Sequence, residues 1–282
     1  MRLSVSELPH TSAINLDFTL NSGQVFLWNR YGRFWYGING SNVLKCNDAG
    51  LAWSRLPDRA DFFRMHQDTC HIMESISRDK TVREAVARYP GLRLLRQEPF
   101  QCCVTFIASA NSNIQKIRSS LERLCAMFGS NIRFDGMQFC LFPKPHRLAG
   151  VNMDGCGLGY RARYVKESSS MISNGAIDFK RIKKMNYHAA KEELMAMPGV
   201  GNKVADCILL FSLDKYEAFP LDRWIVRMLQ KRYPKIFDID GPLTDRRYEI
   251  IHDRVAEYFG PYAGYAQQFL FKMQREDHSK GW

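Results

Sequence analysis

The chain has 282 residues, of which 45% are hydrophobic and 12% are aromatic. It is too long to be one small module, and its composition differs from that of a disordered chain. Lysine and arginine number 40 against 29 aspartate and glutamate residues, and the net charge of +11 favours a polyanionic partner, either nucleic acid or an anionic membrane surface. No apolar run reaches the roughly 20 residues that span a bilayer, and residues 1–7 lack a signal-peptide core, so we expect an intracellular globular protein without a membrane segment.

Short apolar runs alternate with turn residues from about residue 15 to residue 55. This pattern is typical of an antiparallel meander. We therefore expect the first third of the chain to be mainly strand. The runs cover residues 15–20, 25–28, 33–38 and 42–46, and the turns fall at Gly32, Gly40 and 47–50.

After Pro57 the apolar spacing approaches the 3.6-residue period of amphipathic helices, first at 62–65, 72–76 and 82–86. We expect further helices over 178–184 and over 187–197, the second ending at Pro198-Gly199. One exception is 132–141, where Asp135-Gly136 between two apolar runs predicts a β-hairpin. The fold class is therefore α+β, with an N-terminal part at 1–97 and a helical region at 98–282.

The 8 cysteines include no Cys-x-x-Cys pair, so the sequence predicts neither a zinc site nor a disulfide framework. The best metal-like cluster is His66, Cys70 and His71, which lacks an evident fourth ligand. No cysteine follows Cys207. We expect most cysteines to be small core residues, and we expect no metal and no cofactor.

The sharpest local motif is residues 194–207, Leu-Met-Ala-Met-Pro-Gly-Val-Gly-Asn-Lys-Val-Ala-Asp-Cys, which predicts a helix, a tight turn and a second helix. Gly199 and Gly201 let the backbone approach a phosphate, and the second helix offers unpaired N–H groups and the positive end of its dipole. The same glycines also fit an ordinary helical hairpin. The motif alone leaves both interpretations open.

Lys203 falls in the first turn of the second helix, where the helix dipole disfavours an ammonium and favours the neutral, nucleophilic amine. The alternative is a solvated or phosphate-contacting lysine. Asp222 follows 19 residues later, at a predicted N-cap. This separation leaves room for one helix and a return loop between the two residues. The two side chains can meet at adjacent helix starts, although Asp222 can equally serve as a cap alone.

Five segments in order resemble the 8-oxoguanine DNA glycosylases of the helix-hairpin-helix superfamily, across roughly residues 16–272. The resemblance implies an N-terminal antiparallel β subdomain packed on two mainly helical subdomains, with the helix-hairpin-helix at about 187–213. It also implies a monomeric enzyme acting on duplex DNA with 8-oxoguanine opposite cytosine, in a prokaryotic cytoplasm or nucleoid or in a eukaryotic nucleus. The segments are 21–28 (Asn-Ser-Gly-Gln-Val-Phe-Leu-Trp), 110–114 (Ala-Asn-Ser-Asn-Ile), 158–164 (Leu-Gly-Tyr-Arg-Ala-Arg-Tyr), the hairpin through Cys207, and 264–271 (Gly-Tyr-Ala-Gln-Gln-Phe-Leu-Phe).

The resemblance also implies catalytic roles for two residues. Lys203 would be the nucleophile that attacks the anomeric carbon and forms a Schiff base, from which β-elimination cleaves the strand. Asp222 would be the carboxylate that stabilises the developing sugar cation. The enzyme would therefore be both a glycosylase and a lyase.

Further roles follow from the same resemblance. The backbone carbonyl of Gly23 would accept a hydrogen bond from the extruded base, Cys207 and Phe271 would sandwich its ring, and Gln267 would read its Watson–Crick edge. Without the resemblance, Phe271 fits core packing equally well.

Contacts to DNA outside the base pocket are implied for three residues. Asn111, Tyr160 and Arg161 would fill the gap that the extruded base leaves and contact the orphaned cytosine. Without the resemblance, Tyr160 and Arg161 fit a helix surface. Many relatives carry a His where this chain has Trp224 and an Arg where it has Lys116, and these departures leave the strictness of opposite-base selection open.

Three alternatives compete with this interpretation. An alkyl-purine glycosylase typically uses the aspartate without the hairpin lysine, so Lys203 argues against it. An endonuclease III-like protein would carry four cysteines near the C-terminus for an iron–sulfur cluster, and no cysteine follows Cys207. A non-catalytic DNA-binding protein would grip phosphate through the hairpin without turnover.

Overall fold

The computed structural model describes residues 14–47, 59–237, 239 and 241–279. A three-stranded antiparallel sheet in the order β1-β2-β3 lies near its start. Trp28 pairs with Gly37 between the first two strands, and Phe34 pairs with Asn47 between the second and third. The expected meander is therefore present, although its predicted continuation over 48–55 lies outside the described residues. The strands are β1 (Trp28–Tyr31), β2 (Phe34–Asn39) and β3 (Asn42–Asn47).

The prediction of a strand over 15–20 is wrong, because this segment forms helix α1 (Leu16–Leu20). The Oδ1 atom of Asn15 caps the helix by accepting a hydrogen bond from the backbone N–H of Phe18 at 2.9 Å. The buried residues Leu16, Thr19 and Leu20 have helical spacing. Similarly, only Trp28 of the expected run 25–28 lies in a strand.

The rest of the described chain is mainly helical, and the two helices expected over 178–184 and 187–197 are present, the second ending at Met195. The expected hairpin is also confirmed as β4 (Asn131–Phe134) and β5 (Met137–Cys140). Its turn residues Asp135 and Gly136 have φ angles of 53° and 77°, as a type I′ turn requires. The helices are α2 (Arg59–Phe62), α3 (Thr69–Ile76), α4 (Lys80–Arg88), α5 (Pro99–Ser109), α6 (Ile114–Phe128), α7 (Pro145–Leu148), α8 (Arg161–Ser173), α9 (Phe179–Lys184), α10 (Tyr187–Met195), α11 (Asn202–Ser212), α12 (Arg223–Arg232), α13 (Asp245–Phe259) and α14 (Ala263–Ser279).

Two hydrophobic clusters organise the molecule. The smaller one joins α1 and the sheet to residues near α2, and the indole of Trp28 stacks on Phe62 with 5.5 Å between the ring centroids. The larger one is built mainly from helices, but it also includes Phe26 and Leu27 and the buried faces of α3 and α4. The sheet region thus packs on the helical body, while a boundary near residue 97 stays a prediction.

Helix α11 lies inside the larger cluster and packs against α5 and α10. Every residue of α11 except Lys203 is buried. The rings of Phe106 and Phe211 stack between α5 and α11 with 5.4 Å between centroids. This packing fixes α11 and directs Lys203 into a cleft. Among the described residues, no helix has both the length and the apolar character needed to cross a membrane.

Candidate active site

A cleft of about 520 Å³ lies where the C-terminal end of α5 meets the N-terminal ends of α11 and α12. This volume falls within the roughly 300–1,000 Å³ that small-molecule sites occupy. The cleft contains the predicted pair Lys203 and Asp222 together with Asn111. Its other lining residues are Ser109, Ala110, Ser112, Leu221, Arg223, Trp224, Val226, Arg227, Gln230, Gly241 and Leu243.

The amine of Lys203 makes few polar contacts. Its Nζ donates to Oγ of Ser109 at 3.3 Å and lies 5.1 Å from the ring centroid of Phe106. It forms no ion pair with any carboxylate in the described part of the chain, although it interacts electrostatically with Asp222 across the cleft. The nitrogen is therefore not tied to a carboxylate that would keep it from a ligand.

Asp222 is the N-cap of α12, as predicted. Its Oδ1 accepts hydrogen bonds from the backbone N–H groups of Trp224 and Ile225, both at 2.9 Å. Burial raises the pKa of the Asp222 carboxyl, against the opposing effects of Lys203, the two backbone N–H groups and Arg275. Because Oδ1 takes both helix N–H groups, Oδ2 is the oxygen left for a ligand.

A buried network connects α11 to the loop before α12. The two carboxylate oxygens of the fully buried Asp206 accept hydrogen bonds from the hydroxyls of Tyr187 and Tyr248, each at 2.6 Å. The Tyr248 hydroxyl also accepts the backbone N–H of Leu221 at 3.0 Å, and Nζ of Lys191 lies 3.4 Å from Asp206. The helix that carries the cleft lysine is thereby joined to the residue just before the cleft aspartate.

The structure brings the predicted base-binding residues Gly23 and Phe271 together. Gly23 has a φ of +85°, and a Cβ there would lie 2.9 Å from Cε1 of Phe271. Gln267 is buried, and its Nε2 donates to the carbonyl of Pro220 at 3.1 Å, two residues before Asp222. Its Oε1 is buried and has no hydrogen-bond partner among the described residues. An orphaned acceptor costs about 1–3 kcal/mol, so this atom suits a ligand that supplies an N–H donor.

Cys207 lies one helical turn after Lys203 and is buried. Burial raises the pKa of its thiol to about 12, even though the nearby Lys203 acts in the opposite direction. The side chain is therefore a neutral thiol at physiological pH. It can form an apolar wall but cannot act as a thiolate nucleophile.

The two hairpin glycines have different surroundings. Gly199 has a φ of +80°, and a Cβ there would lie 2.7 Å from Cβ of Tyr164, so packing against α8 already requires glycine. A Cβ on Gly201 would have no described protein atom within 4 Å, so packing does not require glycine there. Nearby, Tyr160 is 59% exposed and Arg161 lies 5.0 Å from its ring centroid.

Three further residues considered in the sequence analysis also have defined positions. Trp224 lines the cleft, and its ring lies 4.9 Å from that of His278. Lys116 is exposed in the first turn of α6. Asn111 adopts a left-handed φ of 51°, which asparagine tolerates better than most residues, at the edge of the cleft.

Sequence reasoning missed several contributors to this site. Arg275 lies beside Gly23 and Phe271, and its spacing four residues after Phe271 on one helix could have revealed it. Ser109 and the Asp206 network had no comparable signal, because their partners are distant in sequence. Among the described residues no group of three or more His, Cys, Asp or Glu side chains could hold a metal ion.

A lysine and an aspartate at the starts of two helices, the first of them the second helix of a glycine-containing hairpin, define the class of helix-hairpin-helix DNA glycosylases. No family model matches the chain. The chain is 34% identical over 221 residues to a probable N-glycosylase/DNA lyase of Methanothermobacter thermautotrophicus, covering 70% of this chain and 68% of that protein. It is 30% identical to N-glycosylase/DNA lyase OGG1 of Arabidopsis thaliana, covering 94% and 78%.

A solved structure agrees with these relatives. The 8-oxoguanine glycosylase/lyase of Clostridium acetobutylicum, in complex with double-stranded DNA containing cytosine opposite 8-oxoguanine, superimposes with a TM-score of 0.86 at 31% identity, covering 94% of this chain and 93% of that one. The chain belongs to the N-glycosylase/DNA lyase family of bifunctional DNA repair enzymes. The α+β fold class and the family expected from the sequence are confirmed, and the non-catalytic alternative is not favoured.

Proposed function

We propose that this protein removes 8-oxoguanine paired with cytosine in duplex DNA and then cleaves the strand through a Schiff base on Lys203. The observation that carries the proposal is the meeting of Lys203 and Asp222 at the starts of α11 and α12 in one cleft. The relatives and the solved complex described above support the substrate. One chain supplies all of the proposed site residues, so a monomer suffices.

Lys203 attacks C1′ of the sugar as a neutral amine while the C1′–N9 bond breaks and its electron pair leaves with the base. Asp222 presents Oδ2 to the positive charge that develops on the sugar. After the attacking nitrogen loses one proton, its electron pair forms a second bond to C1′ and expels O4′, which takes a proton, so the sugar ring opens to a protonated imine between Lys203 and C1′. Removal of a C2′ proton then gives an enamine that expels the 3′ phosphate, which is the lyase step.

The base pocket distinguishes the lesion through donors and acceptors. 8-Oxoguanine carries N7–H where guanine has a lone pair, so the Gly23 carbonyl attracts the first and repels the second. One such contact contributes about 0.5–1.5 kcal/mol, so extrusion and pocket fit must also contribute. The unpaired Oε1 of Gln267 accepts hydrogen bonds from N–H groups of the Watson–Crick edge of the base. Cys207 and Phe271 cover the two faces of the base.

DNA is held outside the pocket by two surfaces. The backbone at Gly199 and Gly201 grips a phosphate at the N-terminus of α11. Exposed Tyr160, with Arg161 and Asn111, fills the gap in the duplex and contacts the orphaned cytosine.

Borohydride trapping tests the proposal directly. Four duplexes are used, each with one 8-oxoguanine opposite a different base. A covalent complex is expected with the duplex that has cytosine opposite the lesion. The matched duplex with guanine should give none. Binding without a covalent complex would instead support the non-catalytic alternative.

Gly23→Ala is expected to lower kcat/KM on 8-oxoguanine by about 10- to 100-fold. The added methyl would lie 2.9 Å from the Phe271 ring, and the φ of +85° is strained for any residue with a Cβ. Gly32→Ala is the matched control, because Gly32 also has a positive φ but nothing lies within 4 Å. Full activity and full selectivity over guanine in Gly23→Ala would contradict carbonyl recognition of N7–H.

Tyr248→Phe is expected to reduce the single-turnover excision rate about 10-fold and to lower the free energy of unfolding by about 1–3 kcal/mol. It removes a hydrogen bond to Asp206 and leaves the N–H of Leu221 unpaired beside the cleft. Tyr187→Phe is the control, because it removes the other hydroxyl from Asp206 without touching Leu221. Urea unfolding and excision rates separate the two effects. An equal loss of rate in both variants would show that the hydrogen bond to Leu221 has no particular role in excision.

A further inference from the structure

The proposed base pocket contains a basic side chain that has no role in the scheme above, Arg275 of α14. Its Nη1 lies 3.2 Å from the position that a Cβ on Gly23 would occupy. Its Cζ lies 5.5 Å from the ring centroid of Phe271, within the range of a cation–π contact that orients the guanidinium. Arg275 thus borders the same pocket as Gly23 and Phe271.

Arg275 is half-buried, yet it forms no hydrogen bond and no ion pair with the part of the chain that the structure describes. Burial lowers the pKa of Arg275, against the attraction of Asp222 and Glu276. A guanidinium has five N–H donors and no acceptor, and no nitrogen of Arg275 is among the fully buried unpaired polar atoms of the described residues. Its donors are therefore accessible to an acceptor on a ligand.

The order of residues along α14 indicates which acceptor atom of the ligand Arg275 contacts. Gln267, Phe271 and Arg275 are spaced at successive turns of one helix face, so Arg275 is displaced by roughly 12 Å along the axis from Gln267. If Gln267 meets the Watson–Crick edge, Arg275 lies towards the imidazole end of the base, on the side of Asp222 and the sugar. N7 carries a hydrogen in 8-oxoguanine and is a donor, so the acceptor at the imidazole end of the base is O8.

We propose that the guanidinium of Arg275 donates a hydrogen bond to O8 of the extruded 8-oxoguanine and stabilises the negative charge that develops there during excision. This inference rests on the proposed function. As the C1′–N9 bond breaks, its electron pair passes to N9 and spreads through C8 onto O8, while the guanidinium keeps its proton. The free base then takes a proton from water. Guanine carries C8–H at this position and would leave the guanidinium without an acceptor.

The test compares two activities of the full-length protein. Arg275→Met is expected to slow single-turnover excision of 8-oxoguanine on the order of 10- to 100-fold, as expected for loss of a charged hydrogen bond. Its rate of strand cleavage at a preformed abasic site, and its affinity for DNA with a tetrahydrofuran abasic analogue, should stay unchanged because neither contains a base. Arg275→Lys keeps the charge and should recover part of the excision rate.

Arg227→Met is the matched control, because Arg227 is an exposed arginine of the cleft and its loss should affect excision and abasic-site binding alike. Melting temperatures check that each variant folds. If Arg275→Met lowers excision and abasic-site binding equally, Arg275 contacts phosphate and the proposal is wrong. If the excision rate of Arg275→Met recovers at higher pH, Arg275 acts through the charge of Asp222, and the proposal is also wrong. A wild-type protein that cuts abasic sites but leaves 8-oxoguanine in place would overturn the proposed function itself, together with this contact.

Discussion

Lys203→Gln is expected to lose both base excision and borohydride trapping while keeping its affinity for damaged DNA. Only an amine can form the covalent imine, and a glutamine amide is not nucleophilic at neutral pH. The fold should persist, because Lys203 is the residue of α11 that lies outside the core and glutamine is a good helix former. Gel-shift affinity, single-turnover excision and trapping on one duplex with 8-oxoguanine measure the three properties separately.

Lys184→Gln is the control for this variant, since Lys184 is exposed at the end of α9, away from the cleft. It should behave like the wild type in all three assays. Trapping of Lys203→Gln at the wild-type level would place the nucleophile at another amine.

Asp222→Asn is expected to slow excision by about 10³-fold, because a neutral amide cannot balance the positive charge that develops on the sugar. Stability should change little, since asparagine caps a helix as well as aspartate does and can still accept the N–H groups of Trp224 and Ile225. Asp222→Ala should lose the cap as well, at about 0.5–2 kcal/mol. Near-wild-type excision by Asp222→Asn would limit the role of this residue to capping.

The pH dependence of the wild type provides a second measure of Asp222. Burial raises the pKa of this carboxyl in the folded protein, so the ionised form needed for excision is lost at a higher pH than for an ordinary aspartate. Because the folded pKa exceeds the unfolded one, protonation of this group favours the folded state. Single-turnover rates should therefore fall with acidification while circular dichroism still reports a folded protein. An acid limb at the pH of a free aspartate would contradict this.

Features that depend on a few neighbouring residues were predictable from the sequence. The type I′ turn at Asp135-Gly136 and the N-cap at Asp222 arise from contacts within four residues. The helical hairpin and the position of Lys203 in the first turn of α11 follow in the same way. These local interactions have characteristic residue types, so a single sequence carries the signal. The order of five family segments then indicated the fold and the activity.

Other features were decided by the tertiary structure. Residues 15–20 have apolar spacing compatible with a strand, and the burial of Leu16, Thr19 and Leu20 together with the Asn15 cap favours the helix. Gly23 meets Arg275 only because the loop after α1 packs on α14. The Tyr248 hydroxyl joins Leu221 and Asp206, which are 27 and 42 residues away. The sequence by itself determined the helix starts at which Lys203 and Asp222 lie, because turn and capping signals are local. Tertiary packing decided what surrounds them, because burial and long-range hydrogen bonds depend on which distant segments come into contact.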